Sequence, residues 1–222
     1  MPKPPMTAAR VRRAACAVSA VTAFAVAGIA VPPAGAAKKP KPVVKIAPGE
    51  VTVYKVGGAP DTIPDAVRSA VMATLVRYVK AATVTALQKG KADEVTLTST
   101  LAPGVAGRLT GPDRAVLVDE GLPKPTSAVK VSAAPVALTG LADGDSAIVV
   151  VTAGVDATAT AKTAKGKVVV KRRGDLVLES ENGAWKITGY TLTVDRTGKG
   201  VKPSATAPVA PTAAPTPTTA AR

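Results

Sequence analysis

The residues of this chain that could do chemistry are carboxylates, phenols and basic side chains, because no histidine is present and the one cysteine is Cys16. Without an imidazole the usual general base, the usual activator of a serine and the commonest transition-metal ligand are all missing. The candidates are the adjacent acids Asp119-Glu120, the run Asp143-Gly144-Asp145 with Asp156 beyond it, and the cluster Lys171-Arg172-Arg173. Tyr78, Trp185 and Tyr190 are the candidate pocket-lining aromatics. Asp119 and Glu120 read as surface caps, since neighbours on a helix point about 100° apart and do not share a site. Calcium takes about six to eight oxygens, and Asp143-Gly144-Asp145 lacks both the spacing and the bidentate acid of a known loop, so a hairpin turn is expected there. No catalytic residue, metal ligand or cofactor-binding residue is assigned, and no cofactor is expected.

Charge narrows the partners. The net +14 divides as +4 in residues 1–37, +4 in 38–49, +3 in 50–196 and +3 in 197–222, so the foldable region is nearly balanced. A nucleic-acid surface would concentrate Lys and Arg on one folded face beside aromatic stacking platforms. Only Lys171-Arg172-Arg173 resembles one, and no nucleic-acid partner is expected.

These residues must be positioned by elements that the pattern makes legible. Residues 61–89 read as a long helix: Asp61 or Thr62 can cap, Pro64 suits the first turn, and Lys89-Gly90 is a stop. Val67, Val71, Leu75, Tyr78, Val79, Ala82 and Ala86 recur every three or four residues, so one stripe faces apolar surroundings, with Arg68, Arg77 and Lys80 in solvent. Residues 93–107 give mixed signals. Residues 110–121 read as a shorter helix with Pro112 in its first turn. Strands follow: 127–139 with a break at Pro135, 146–161 with a buried core at Ile148 to Val151, and then the segments KVVVKRRGDLVLES and AWKITGYTLTVDR.

Asn182-Gly183 between those last two segments is the signature of a two-residue type I′ hairpin. That turn sets Glu181 against Ala184, Ser180 against Trp185, Glu179 against Lys186 and Leu178 against Ile187. The alternation slips at Gly189, where a β-bulge would swing Tyr190, Leu192 and Val194 onto the face of Leu176, Val170 and Val168. The expected architecture is α+β: a long N-terminal helix and a shorter helix packed on a curved, mainly antiparallel sheet spanning residues 50–196.

The flanks differ in character. In residues 1–37, Arg10, Arg12 and Arg13 precede an apolar run from Ala14 to Val31 and then Ala34-Gly35-Ala36, the pattern of an export signal cut near Ala37. The run is also long enough for an uncut membrane anchor, and both readings stay open. Residues 38–49 read as an extended basic linker rich in Pro and Lys, able to favour an anionic envelope surface. Residues 197–222, rich in Ala, Pro and Thr, read as a disordered tail. Loss of Phe24 with the signal leaves Tyr54, Tyr78, Trp185 and Tyr190 as the aromatics.

The closing pattern Gly183-Ala184-Trp185-Lys186-Ile187-x-x-Tyr190-x-x-x-Val194-x-Arg196, after a long amphipathic helix and a shorter one, resembles the nuclear transport factor two-like superfamily. The exported, Ala- and Val-rich chain more narrowly resembles the mammalian-cell-entry-associated exported proteins of actinobacteria. The resemblance covers residues 61–196. It implies a cone-like (cystatin-like) α+β fold with a sheet curved around a pocket. Members such as ketosteroid isomerase and limonene epoxide hydrolase use pocket carboxylates, and others only bind partners; none of their catalytic positions matches a residue here.

The expected function is therefore an exported envelope binding or accessory module without catalytic activity, taking a protein partner or a small apolar ligand. A carboxylate-using enzyme on the same fold, and a basic-tailed adhesin of wall or membrane surface, are the alternatives. Oligomeric state is not legible.

Overall fold

The computed structural model describes residues 41–54, 62–143 and 147–201. The expected signal in 1–37, the expected tail from 202 onward, the Asp61 cap and the centre of the Asp143-Gly144-Asp145 turn lie outside the described residues.

The helices follow two short N-terminal strands in sequence. Helix α1 runs Asp65–Val79, a π-helical turn follows at Lys80–Thr85, and α2 completes the rod at Ala86–Lys89. A single α-helix over 61–89 is thus replaced by three segments, starting at Pro64 with no side-chain cap. Gly90 stops the rod at φ 80°. The apolar stripe is buried from Val71 to Ala86, but burial spreads beyond it to Thr74, Ala81, Thr83, Val84 and Leu87. A short helix accounts for part of this: α3 (Glu94–Thr100) packs on the rod with Leu97 buried, while α4 (Pro103–Ala106), with Val105 buried, lies against the last strand of the sheet. Asp93 caps α3 by accepting from Thr96 N. The rod from Asp65 to Lys89 is apolar enough to cross a membrane, yet 67% of its most apolar window is buried inside this fold, as in a core helix.

Helix α5 (Gly111–Leu117) is shorter than the 110–121 expected. It ends at Val118, whose φ −133° and ψ 139° are extended, and this has consequences for the two acids that follow.

The sheet contains β1 (Val43–Lys45), β2 (Pro48–Tyr54), β3 (Lys130–Ala133), β4 (Val136–Asp143), β5 (Ala147–Thr163), β6 (Gly166–Glu181) and β7 (Ala184–Thr197). Strands β3 and β4 lie end to end along the long β5, separated at Ala134-Pro135, where a proline cannot donate to a ladder. Strands β1 and β2 pair in parallel with β3 and β4, and β5, β6 and β7 follow antiparallel. The result is a mixed α+β sheet. The extended linker expected at 38–49 is corrected: Val43–Lys45 and Pro48-Gly49 are sheet strands, because Val44 with Ile46 and, after a break in the alternation, Val51 with Val53 supply apolar rows to bury.

The β6–β7 hairpin has the register read from its sequence. Asn182 and Gly183 adopt φ 50° and 78°, and Glu181 pairs Ala184, Ser180 pairs Trp185, and Leu178 pairs Ile187. The register slips between Val177 and Leu178, so Val177 faces Gly189 and Thr188 is the extra residue. Beyond the bulge, Leu176 pairs Tyr190 and Arg172 pairs Val194. The inner face continues through Leu176, Val170 and Val168 on β6 and Leu192 on β7, all buried against the helices.

Candidate functional site

The inner face of the sheet carries two charges where its period demands apolar residues. On β6 the buried positions are Val168, Val170, Arg172, Leu176 and Leu178, so Arg172 stands on the core row at 4% exposure. On β7 the row Leu192, Val194, Arg196 brings a second guanidinium alongside, since Val170 pairs Arg196 across the ladder. Lys171-Arg172-Arg173 is therefore not one basic patch. Strand alternation turns Lys171 and Arg173 outward, where Arg173 meets Asp156 at 3.4 Å, and turns Arg172 inward.

Asp119 meets both arginines. Its Oδ2 accepts from Arg172 Nη2 at 3.1 Å and from Thr83 Oγ1 at 2.7 Å. Its Oδ1 accepts from Arg196 Nε at 2.9 Å and Nη2 at 2.7 Å. The side chain of Asp119 is 0% exposed, which corrects its reading as a surface cap. The cause is local: the chain is extended from Val118 onward, the Asp119 N–H donates to Ala82 O, and successive side chains in extended backbone point to opposite sides. Glu120 consequently turns away and accepts both arms of Arg114, at 2.9 and 2.8 Å, plus Ala92 N at 2.7 Å. Arg114 also donates to Glu94, so this group clips α3, the end of the rod and α5 together. The hydrogen bonds from Arg114 hold the Glu120 carboxyl below its ordinary pKa.

The π-helical turn supplies the remaining contacts. A π-turn places a residue over the one five positions before it, and Tyr78 and Thr83 are five apart. Both reach the same guanidinium: Arg172 Nη1 donates to Thr83 Oγ1 at 3.0 Å, and its Cζ lies 5.7 Å from the Tyr78 ring centre. Tyr78 donates its hydroxyl to Leu117 O at 2.9 Å, and burial pushes its pKa up. Arg172 Nη2 also lies 3.4 Å from the carbonyls of Val116 and Leu117, while Arg196 donates to Ala115 O and Val118 O. The two arginines thus also satisfy the free carbonyls at the end of α5. Burial alone would lower the pKa of Arg172, but the charges of Asp119 and Tyr78 and the bond to Asp119 outweigh it and raise it.

Beside this cluster lies a small, partly open cavity. Tyr78, Thr83, Asp119 and Arg172 border it, and every other lining residue is Val, Ala, Leu or Ile. The space exists because the inner row of β5 shrinks from Val155 to Ala157 and Ala159, which do not fill the distance to the rod. Ile46, between the first two strands, completes the wall from the segment read as linker.

Of the three aromatics expected to line a pocket, Tyr78 does so. Trp185 is 8% exposed and packs in the core, with Thr74 donating to its carbonyl at 3.0 Å, and it is not among the residues of this cavity. Tyr190 is half-buried toward Asp113, and burial together with that acid pushes its pKa up to about 12. Asp119 and Arg172, weighed from the sequence as a surface cap and as part of a basic cluster, belong to the site, and Arg196 and Thr83 join it with no such expectation. The signal for the two arginines was present, since both fall in step with apolar inner rows. Among the described residues no cluster of His, Cys, Asp and Glu could hold a metal ion.

No family model matches the chain, and no curated protein does. Among solved structures it is similar to a hexachlorocyclohexane dehydrochlorinase (LinA, type 2), with a TM-score of 0.38 and 15% identity, over 61% of this chain and 91% of that one. The narrower resemblance, to exported proteins of actinobacteria, finds no support in these comparisons. The match corrects the expectation that the chain is not an enzyme: the solved structure is by its title an enzyme, so that exclusion does not stand. At this level of similarity the likeness assigns no activity to this chain.

Proposed function

We propose that this chain binds a small, mainly apolar molecule in the cavity between the helical rod and the inner face of the sheet. One observation carries the reading. The alanine row of β5 leaves space on an otherwise filled apolar face, and the polar groups Tyr78, Thr83, Asp119 and Arg172 gather at one side of that space. Binding sites for small molecules have this composition, an apolar wall with a few converging polar groups. Both oxygens of Asp119 are already engaged, which makes that carboxylate the anchor of the two arginines. Export to the envelope, expected from residues 1–37, belongs to the same proposal and rests on the sequence.

The test is a methyl NMR titration of the full chain with hexane. Shifts confined to Val131, Ala157, Ala159 and their neighbours are expected, and Ala157→Leu, which fills the space, removes them while the fold persists. Shifts absent from those methyls, or unaffected by Ala157→Leu, would overturn the reading.

A further inference from the structure

The outer face of the sheet, turned away from the helices, is sorted by charge along its length. Counted from the β5–β6 turn, its first row sets Lys162 opposite Lys167, with Lys165 in the turn between them. The next row runs Val43, Lys130, Thr160, Val169 and Thr197, and the one after it Lys45, Ser132, Thr158, Lys171 and Asp195. All of these lysines are exposed, and among the described residues none of them forms an ion pair. Asp195, opposite Lys171 on the edge strand, is the only acid in the three rows. Toward the Asn182-Gly183 turn the same face carries Asp156, Asp175, Glu179 and Glu181, and its basic groups there are matched, Arg173 by Asp156 and Lys186 by Glu181, each at 3.4 Å. The near balance of residues 50–196 thus divides into a basic end and an acidic one.

Like charges directly opposite on neighbouring strands repel, so the Lys162–Lys167 pair with Lys165 beside it is a cost that the isolated fold does not relieve. We propose that this lysine end of the sheet docks on the anionic headgroups of a lipid bilayer. The proposal is independent of the cavity, which lies on the other face. Three observations favour a bilayer. Lysines act as point charges suited to a surface without fixed geometry, where arginines would mark bidentate recognition of a particular phosphate. The residues among them are the aliphatic Val43, 43% exposed, and the half-buried Val169, not the aromatic platforms that a nucleic-acid surface uses. The described chain also enters and leaves here: Lys41 leads into Val43 beside Lys130, and Gly200 lies against Lys165 and Pro123. This end is therefore the part of the domain nearest along the chain to the apolar run from Ala14 to Val31.

The test is amine acetylation of the full chain, read lysine by lysine by mass spectrometry, with vesicles of phosphatidylcholine alone or mixed in equal parts with phosphatidylglycerol. The mixed vesicles are expected to protect Lys130, Lys162 and Lys167 and to leave Lys186, on the same face at the acidic end, as reactive as before. That protection disappears at about 1 M salt, where charges are screened beyond about 3 Å. Equal protection by neutral vesicles, equal protection of Lys186, or none at all overturns the proposal. Duplex DNA at the same phosphate concentration protecting these lysines more strongly than the mixed vesicles overturns the choice of a bilayer. The ratio of partition into mixed over neutral vesicles removes the contribution of the apolar run. Each lysine at an anionic surface is worth about fivefold, so Lys162→Gln with Lys167→Gln should lower that ratio by about tenfold or more. Lys89→Gln with Lys91→Gln, at the end of the rod on the helical side, should leave it unchanged. A folded Lys162→Gln, Lys167→Gln protein with the parent's ratio would show that the basic flanks alone hold the chain to the surface, and the docking face would be refuted.

Discussion

Arg172 Nη2 and Asp119 Oδ2 lie 3.1 Å apart across 53 residues of sequence, with side chains only 5% and 0% exposed. Arg196 reaches the other oxygen of the same carboxylate from the neighbouring strand. Two strands and the extended segment after α5 are thereby tied at one buried point beside the cavity.

Removing that carboxylate leaves two guanidiniums facing each other in the core. Breaking one partner of a buried pair typically costs about 3–5 kcal/mol, because the remaining charge keeps its desolvation penalty. Asp119→Ala is therefore expected to lower the stability by about that much in urea unfolding. An unchanged midpoint would contradict the buried arrangement.

Thr83→Val keeps the shape of the side chain and deletes the hydroxyl that donates to Asp119 and accepts from Arg172. The two buried charges each lose one bond, at an expected cost of about 1–3 kcal/mol. Thr85→Val, two residues on in the same π-turn and with no such bonds among those described, serves as the control and should differ little from the parent.

The bulge needs its extra residue more than it needs a glycine. A Cβ on Gly189 would meet Val177 at 3.6 Å, an ordinary contact, and Gly189→Ala is expected to cost less than about 1 kcal/mol. Gly174 is different: its φ is 129°, and a Cβ there would fall 1.8 Å from Thr191 O. Gly174→Ala should cost about 3 kcal/mol or more. Melting temperatures of the two variants, compared side by side, decide this; equal losses would refute it.

Tyr190 links stability to alkaline pH. Its folded pKa is raised from 10.0 to about 12, by burial first and then by its bond to Asp113. The folded state therefore holds the phenol proton more tightly than the unfolded chain does. The resulting stabilisation is complete below pH 10 and is lost as pH rises from 10 toward 12. Tyr190→Phe should flatten that stretch of the stability profile, measured by urea unfolding at stepped pH. A variant that loses stability over the same range as steeply as the parent would exclude Tyr190 as the cause.

Features governed by neighbouring residues were open to reading. The turn at Asn182-Gly183 follows from two positive φ angles that those residues accept, and period-two alternation carries the pairing outward from it. The slip near Gly189 is visible as a break in the same alternation. The rod's apolar stripe is visible at three- and four-residue spacing, but the π-turn is not, because one wider turn leaves the composition unchanged. Pairing of Val43–Lys45 escaped notice for a related reason: a short Lys- and Pro-flanked run looks like a linker until a β3 edge is present to receive it.

The site divides along the same line. By itself the sequence determined that Arg172 and Arg196 fall on rows whose other members are apolar, that a short helix lies near Asp119, and that β5 carries small residues at alternate positions. Local steric preference and strand period suffice for that. Only the tertiary structure decided that Asp119 turns inward, that Thr83 is wound over Tyr78 to meet Arg172, and that the alanine row leaves a space. These depend on where α5 stops and on contacts between residues 53, 77 and 89 positions apart, and a buried charge finds its partner only when the chain has packed.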